Sequence, residues 1–385
     1  MDQSVVEELV NNLRNQFSRN SNFTKIFSSL FAVFLLSCSV QTTPSSSPAT
    51  PTAQIEESDP TSTPPISFPN SPANLTKDQI TTLSSLKIID DYPLYTMNYE
   101  GTLPGNDQRT QIEDPGRGNP VIMLTRAGWS CSLFAAMGDS EITRFGRNFD
   151  WEYSPGLLLF TNPPDGYSSA SMVDIAYLGF WAEDLDRLHV LDLAELTPLL
   201  NAPNWPFDGM NERGLAIGMA AVPGGQMRFD PQKPDIGSLE IMRQVLDHAA
   251  NIHEAVSIIE SYNIDFRGGP DLHYLIADLS GEAVLVEFYE GKLHSIPSDN
   301  PWHLATNFLV SAVNDPQGNC TRYDKISQTM ERSNGYLNTK DADNLLSSVS
   351  QNNTQWSVLY NLNNLEIQVT MGKQIDQPHK FQLVP

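Results

Sequence analysis

The chain has 385 residues, 46 of them acidic and 23 basic, for a formal net charge of −23. That balance excludes a nucleic-acid partner, because phosphate binding needs a positive footprint. With 40% hydrophobic and 9% aromatic residues, the length supports a substantial core in one large domain or two ordinary ones.

Residues 1–24, with "VVEELVNNLRNQF", read as a small amphipathic helix. Residues 25–40, "KIFSSLFAVFLLSCSV", set a lysine ahead of a short apolar run ending in Leu35-Leu36-Ser37-Cys38. The run is too short for a membrane span and long enough for a signal-peptide core. The segment resembles a bacterial lipoprotein signal. This implies a 1–38 leader, lipidation at Cys38, and an exported protein anchored by lipid to a membrane, facing the periplasm or cell exterior. An ordinary secretory signal or a buried helix is the plainer alternative. Residues 39–76 are dominated by Ser, Thr, Pro and other small residues. They cannot bury enough apolar area to offset their ordering entropy, and are expected to form a disordered tether.

From about residue 77 the pattern is globular. Strands are expected in "PLYTMNYEG" (93–101), "PVIML" (120–124), "SLFAAM" (132–137), "ITRFGRNFDW" (142–151), "MVDIAYLGF" (172–180) and "GLAIGMAAV" (214–222). Ser238 is expected to cap a helix carrying Ile241, Val245 and Ala249. Asn251 with Glu254 opens a second one. A meander follows, with turns at Ser280-Gly281 and Glu290-Gly291. "WHLATNF" (302–308) reads as a strand, "DADNLLSSVS" as a helix, and "WSVLYNL", "EIQVTM" and "FQLV" as strands. The loops around 153–170, 181–206 and 223–236 are where specificity is expected to lie. Strands apolar on both faces, with helices between them, predict sheets covered on both sides.

Three cysteines, Cys38, Cys131 and Cys320, make no disulfide framework. Cys131 is either a buried small hydrophobe or a nucleophile. A thiol attacks carbonyls only as thiolate, so it needs a base or a cation nearby. At a new N-terminus the α-amine, with a pKa of about 7.7 to 8.0, is that base. Asp150 can accept a hydrogen bond from the amine, and Arg147 can favour the thiolate. Either residue has a blander use, in a turn or a surface ion pair. Cys131 lies too deep in the chain for loss of an initiator methionine to expose it. The Ser130–Cys131 bond must be cut, and attack of the thiol on the Ser130 carbonyl, followed by water, is a route.

"Cys-Ser-x-Phe … Phe-Gly-Arg-Asn-Phe-Asp-Trp" around Cys131 and Asp150, "Asn-Glu-Arg-Gly-Leu-Ala-Ile" at 211–217, "Ala-Thr-Asn" at 305–307, "Cys-Thr-Arg-Tyr" at 320–323 and "Trp-Ser-Val-Leu-Tyr" recur together. This set resembles the choloylglycine hydrolase family of linear amide C–N hydrolases, over roughly residues 90–375. The resemblance implies an α+β fold, an αββα four-layer sandwich of the N-terminal nucleophile type. It implies a pro-segment at 77–130, which can stay packed after cleavage, and a catalytic domain at 131–385. It assigns Cys131, Arg147 and Asp150 to the catalytic set, Asn307 to the oxyanion hole and Arg322 to the site. It implies a small-molecule amide as substrate, no cofactor and a possible homo-oligomer. One departure stands out: Ala221 occupies the position of a second oxyanion asparagine, so a backbone N–H or another side chain must replace it. An acyltransferase passing the same thioester to an amine, and an inactive lipid-anchored binding protein, are the alternative functions.

Overall fold

The computed structural model describes residues 75–104, 130–152, 154–180, 188, 191–267 and 269–385. The leader with Cys38, nearly all of the tether and the strand expected at 120–124 lie outside the described residues. Among the described residues no helix is long and apolar enough to cross a membrane.

The elements run in the order α1 (Lys77–Ser84), β1 (Lys87–Asp90), β2 (Leu94–Tyr99), β3 (Ser130–Ala136), β4 (Arg144–Asp150), β5 (Gly156–Thr161) and β6 (Ser169–Asp174). After them come β7 (Asp208–Asn211), β8 (Ala216–Ala221), β9 (Asp235–Gly237), α2 (Glu240–His248), α3 (Ile252–Glu260) and β10 (Asn263–Asp265). Next are β11 (Leu272–Ala277), β12 (Ala283–Tyr289), β13 (Lys292–Pro297) and β14 (Trp302–Ala305). The chain closes with α4 (Thr321–Ser333), α5 (Thr339–Val349), β15 (Thr354–Asn361), β16 (Glu366–Met371) and β17 (His379–Gln382).

Nine strands form one sheet in the order β1-β2-β5-β6-β7-β8-β11-β12-β13, and six form a second in the order β14-β3-β4-β15-β16-β17. Helices α2 and α3 cover the first sheet on β7, β8, β11 and β12. Helices α4 and α5 cover the second on β3, β4, β14 and β15. The sheets face each other through β3 on β8 and β11, and β12 on β14. Helix, sheet, sheet, helix is the four-layer αββα arrangement expected from the sequence.

The alternation of β2, β5 and β6 explains why the first sheet is buried on both faces at that end. Leu94, Leu158, Ala170 and Met172 join the main core between the sheets. Tyr95, Met97, Leu157, Leu159 and Val173 point the other way, into a second core closed by Leu83 of α1 and Leu199. Residues upstream of Cys131 therefore supply two strands and a helix, and β2 runs parallel to β5 in full register. Burying a side chain such as Leu94 or Met97 stabilises by about 1.5–3 kcal/mol.

The structure differs from the expected elements at three places. The strand foreseen over 172–180 stops at Asp174, whose carboxylate accepts the Ala176 N–H at 3.0 Å and starts a 3-10 turn over Ile175–Leu178. Ser238 does not cap α2; Leu239 stands at that position without a side-chain bond, and Ser238 offers its carbonyl to the Tyr274 hydroxyl. The region 153–170, expected as a loop, contains all of β5. Asn251 does cap α3, accepting the Glu254 N–H at 3.1 Å, and Gly281 and Gly291 turn the meander with positive φ.

Candidate active site

The site is built on the hairpin of β3 and β4. The register pairs Ser130 with Asp150, Cys131 with Phe149 and Leu133 with Arg147. Alternation then splits the side chains between two faces. Cys131, Leu133, Arg147 and Phe149 face the interior between the sheets. Ser132, Phe134, Asn148 and Asp150 face the helix layer, where Asn148 Nδ2 donates to the Leu346 carbonyl of α5 at 2.8 Å. Gly146 is what lets the hairpin close: a Cβ there would lie 2.3 Å from Phe134 Cζ.

On the interior face, Arg147 Nη2 lies 3.7 Å from Cys131 Sγ and 3.7 Å from Met219 Sδ. Its Nη1 donates to Asp208 Oδ2 at 2.6 Å, and neither side chain of that pair has any solvent exposure. The Tyr360 hydroxyl donates to the other Asp208 oxygen at 2.6 Å. The guanidinium also sits 5.0 Å from the centre of the Phe149 ring. Burial works against the Arg147 charge, but Cys131 and Asp208 outweigh it and raise its pKa. The cation is thereby fixed beside the sulfur.

On the helix face, Arg322 comes from the first turn of α4. It donates to the Cys131 carbonyl, to Ser132 Oγ at 3.0 Å and to Asn307 Oδ1 at 3.0 Å. Asp150 Oδ1 accepts the Thr354 hydroxyl at 2.5 Å. Asp150 Oδ2 is buried and has no hydrogen-bond partner. Burial pushes the Asp150 carboxyl up to about 6, against the pull of Thr354, Arg322 and Arg147.

Asn307 approaches from β14, which pairs Ala305 with Leu133. Two residues on in that register, Asn307 stands opposite Cys131. Its Oδ1 accepts the Cys131 backbone N–H at 2.6 Å, and its Nδ2 donates to the Ala221 carbonyl at 2.8 Å. The position of the missing second asparagine thus offers a carbonyl that takes up Asn307's donor. Burial pushes the Cys131 thiol up; the Arg147 charge opposes this, Asp150 adds to it and Arg322 opposes it. In the uncut chain burial thus favours the thiol over the thiolate.

The fold therefore brings Ser130, Cys131, Arg147, Asp150, Asn307 and Arg322 together from strands β3 and β4, the segment that follows β14, and helix α4. Asp208, Tyr360 and Thr354 were not foreseen from the sequence. Asp208 lies in "NWPFDGMNERG", where one acidic residue near a turn carries no distinguishing signal. Cys320, just ahead of Arg322, is buried and free. Asn211 shapes the β7–β8 turn, as its types suggest: it donates to the Leu246 and Ala249 carbonyls and accepts the Arg213 N–H.

Residues 131–307 match the family model described as linear amide C–N hydrolases, choloylglycine hydrolase family. No curated protein matches the chain. Among solved structures, a cysteine-to-alanine mutant of the conjugated bile acid hydrolase from Clostridium perfringens is 16% identical, with a TM-score of 0.48, over 66% of this chain and 92% of that one. The penicillin V acylase from Agrobacterium tumefaciens is 16% identical, with a TM-score of 0.42, over 65% of this chain and 85% of that one.

Proposed function

Residues 131–307 belong to the choloylglycine hydrolase family of linear amide C–N hydrolases, and from that premise we propose that Cys131 is the nucleophile of an amidase that matures by cutting its own chain. The observation that carries this is the engagement of Cys131 at every polar atom. Its sulfur faces the Arg147 guanidinium, its N–H sits on Asn307, and its carbonyl holds Arg322.

In maturation, Sγ attacks the Ser130 carbonyl carbon. The C–N bond to Cys131 breaks, the nitrogen takes up the thiol proton and leaves as an amine, and a thioester joins Ser130 to the sulfur. Water then opens the thioester, giving a Ser130 carboxylate and a free thiol. The released amine needs an acceptor, and the unpartnered Asp150 Oδ2 supports that role for Asp150. Asn307 Oδ1 already meets this nitrogen.

In turnover, the amine accepts the thiol proton and the thiolate attacks a linear amide carbonyl. Arg147 stabilises the sulfur's negative charge. The oxyanion needs donors, and Asn307 Nδ2 can serve once it leaves the Ala221 carbonyl. The amine of the substrate departs with the proton, and water hydrolyses the acyl thioester. Mass spectrometry of the purified chain, with hydrolysis assays on a panel of N-acyl amides, tests the proposal. Wild type should be cut before Cys131 and active, and Cys131→Ala uncut and inactive. An active Cys131→Ala chain would overturn it.

A further inference from the structure

The segment that carries Asn307 is gripped at both ends by two side chains that have no role in the chemistry above. His273 on β11 and Glu287 on β12 lie on neighbouring strands of the nine-stranded sheet, and neither side chain has any solvent exposure. Tyr274, next to His273, reaches outward to the Ser238 carbonyl at the start of α2. His273 therefore points the other way, across the gap between the sheets. There its Nε2 lies 2.8 Å from the carbonyl of Thr306, the residue before Asn307. Its Nδ1 lies 3.1 Å from Glu287 Oε1. Glu287 in turn takes the Val310 N–H on Oε1 at 2.9 Å and the Ser311 N–H on Oε2 at 2.8 Å.

The partners of each atom bear on the charges. A carbonyl only accepts, so Nε2 must carry a hydrogen. Glu287 faces two backbone N–H groups and the ring, an arrangement that suits a carboxylate accepting three hydrogen bonds. Against a carboxylate, Nδ1 is also a donor, which is the pattern of an imidazolium. We propose that His273 and Glu287 form a buried ion pair whose function is to position Asn307 against Cys131, by holding residue 306 on one side and residues 310 and 311 on the other.

The energetics favour a positioning role over one in stability. Desolvating two charges costs as much as their attraction returns unless further hydrogen bonds complete them, and a buried pair is weak evidence for stability by itself. Here the extra bonds all go to the backbone of one six-residue segment. Burial pushes the Glu287 carboxyl up, but the His273 hydrogen bond and charge and the Ser311 and Val310 N–H groups win and hold it below the ordinary carboxylate range.

The inference rests on the amidase reading, and two measurements on the full chain separate the two. The first is nitrogen-15 NMR of the chain labelled at histidine, at pH 7. Both His273 ring nitrogens should carry hydrogens in wild type; a single protonated nitrogen would overturn the ion pair. This needs no variant to fold. The second is alkylation of Cys131 by iodoacetamide, followed by peptide mass spectrometry. Glu287→Gln should slow it about tenfold, and by less than about twofold when Asn307→Ala is already present, because coupled positions are non-additive. An equal loss in both backgrounds would overturn the positioning role. An unreactive wild-type Cys131 would instead overturn the amidase reading, and the positioning claim with it.

Discussion

Asn307 Oδ1 lies 2.6 Å from the backbone nitrogen of Cys131, 176 residues earlier in the chain. No other contact says more about this protein, because that nitrogen is the atom that cleavage would turn into an amine. The same oxygen also accepts a hydrogen bond from Arg322. The asparagine thus ties the Cys131 nitrogen to the cation that holds the Cys131 carbonyl.

Removing that side chain should disable the site without unfolding the chain. Asn307→Ala loses the bonds to Cys131, Ala221 and Arg322. Amide hydrolysis should fall by roughly 10²- to 10³-fold, the range for a lost oxyanion donor. Steady-state kinetics on the best amide of the panel reads this, and a fall confined to KM would contradict it.

The Arg147–Asp208 pair should be the most costly to break from one side. Asp208→Asn leaves a buried guanidinium without its counter-charge, at a cost of about 3–5 kcal/mol. Urea denaturation should show the loss directly. The double variant Arg147→Met with Asp208→Asn should recover much of that stability and none of the activity, since the cation beside the sulfur is gone.

Asp150 gives a pH dependence with a definite sign. Its folded carboxyl is raised to about 6 by burial, so the folded chain favours the protonated form. Its contribution to stability is full below about pH 4, the ordinary aspartate range, and is lost as pH rises through about 6. In the uncut Cys131→Ala background, Asp150→Asn should raise the melting temperature at pH 8 relative to the same background with Asp150. The gain should shrink towards pH 4. The difference in free energy should be on the order of 3 kcal/mol. A gain that does not change with pH would show that Asp150 ionisation is not its source.

The chain upstream of the cut should not leave. Strand β2 lies in the middle of a sheet edge region, paired on one side with β1 and on the other with β5, and Leu94, Tyr95 and Met97 are buried. After cleavage at Ser130–Cys131 the two fragments should co-elute in native size exclusion and separate only in denaturant. Leu94→Ala, at about 2–5 kcal/mol, should loosen that association. Fragments that part under native conditions would contradict it.

The hairpin at the heart of the site was legible because its chemistry is local. Cys131, Arg147 and Asp150 lie within 20 residues, and period-2 alternation with a Gly-Arg-Asn core announces two paired strands. Asn251, with its Glu254 partner, was legible as a cap for the same reason. The misreadings have local causes as well. β5 went unread inside the 153–170 stretch because Leu157, Leu158 and Leu159 are all buried, and a strand buried on both faces loses its alternation. Asp174 ended β6 early because its side chain offered the Ala176 N–H, two residues on, a partner outside the sheet.

By itself the sequence determined which atoms can react. A thiol, a guanidinium and a carboxylate at this spacing on two strands are the groups that a cysteine nucleophile with its own amine as base would need, because those properties belong to the side chains. Only the tertiary structure decided which charges stand where. Asp208 locks Arg147 beside the sulfur, Asp150 keeps one oxygen unpaired, and His273 with Glu287 grips the loop of Asn307. Each of these depends on groups 60 or more residues apart, or on strands from different sheets, being desolvated against one another. Burial and pairing of that kind arise only when the layers pack.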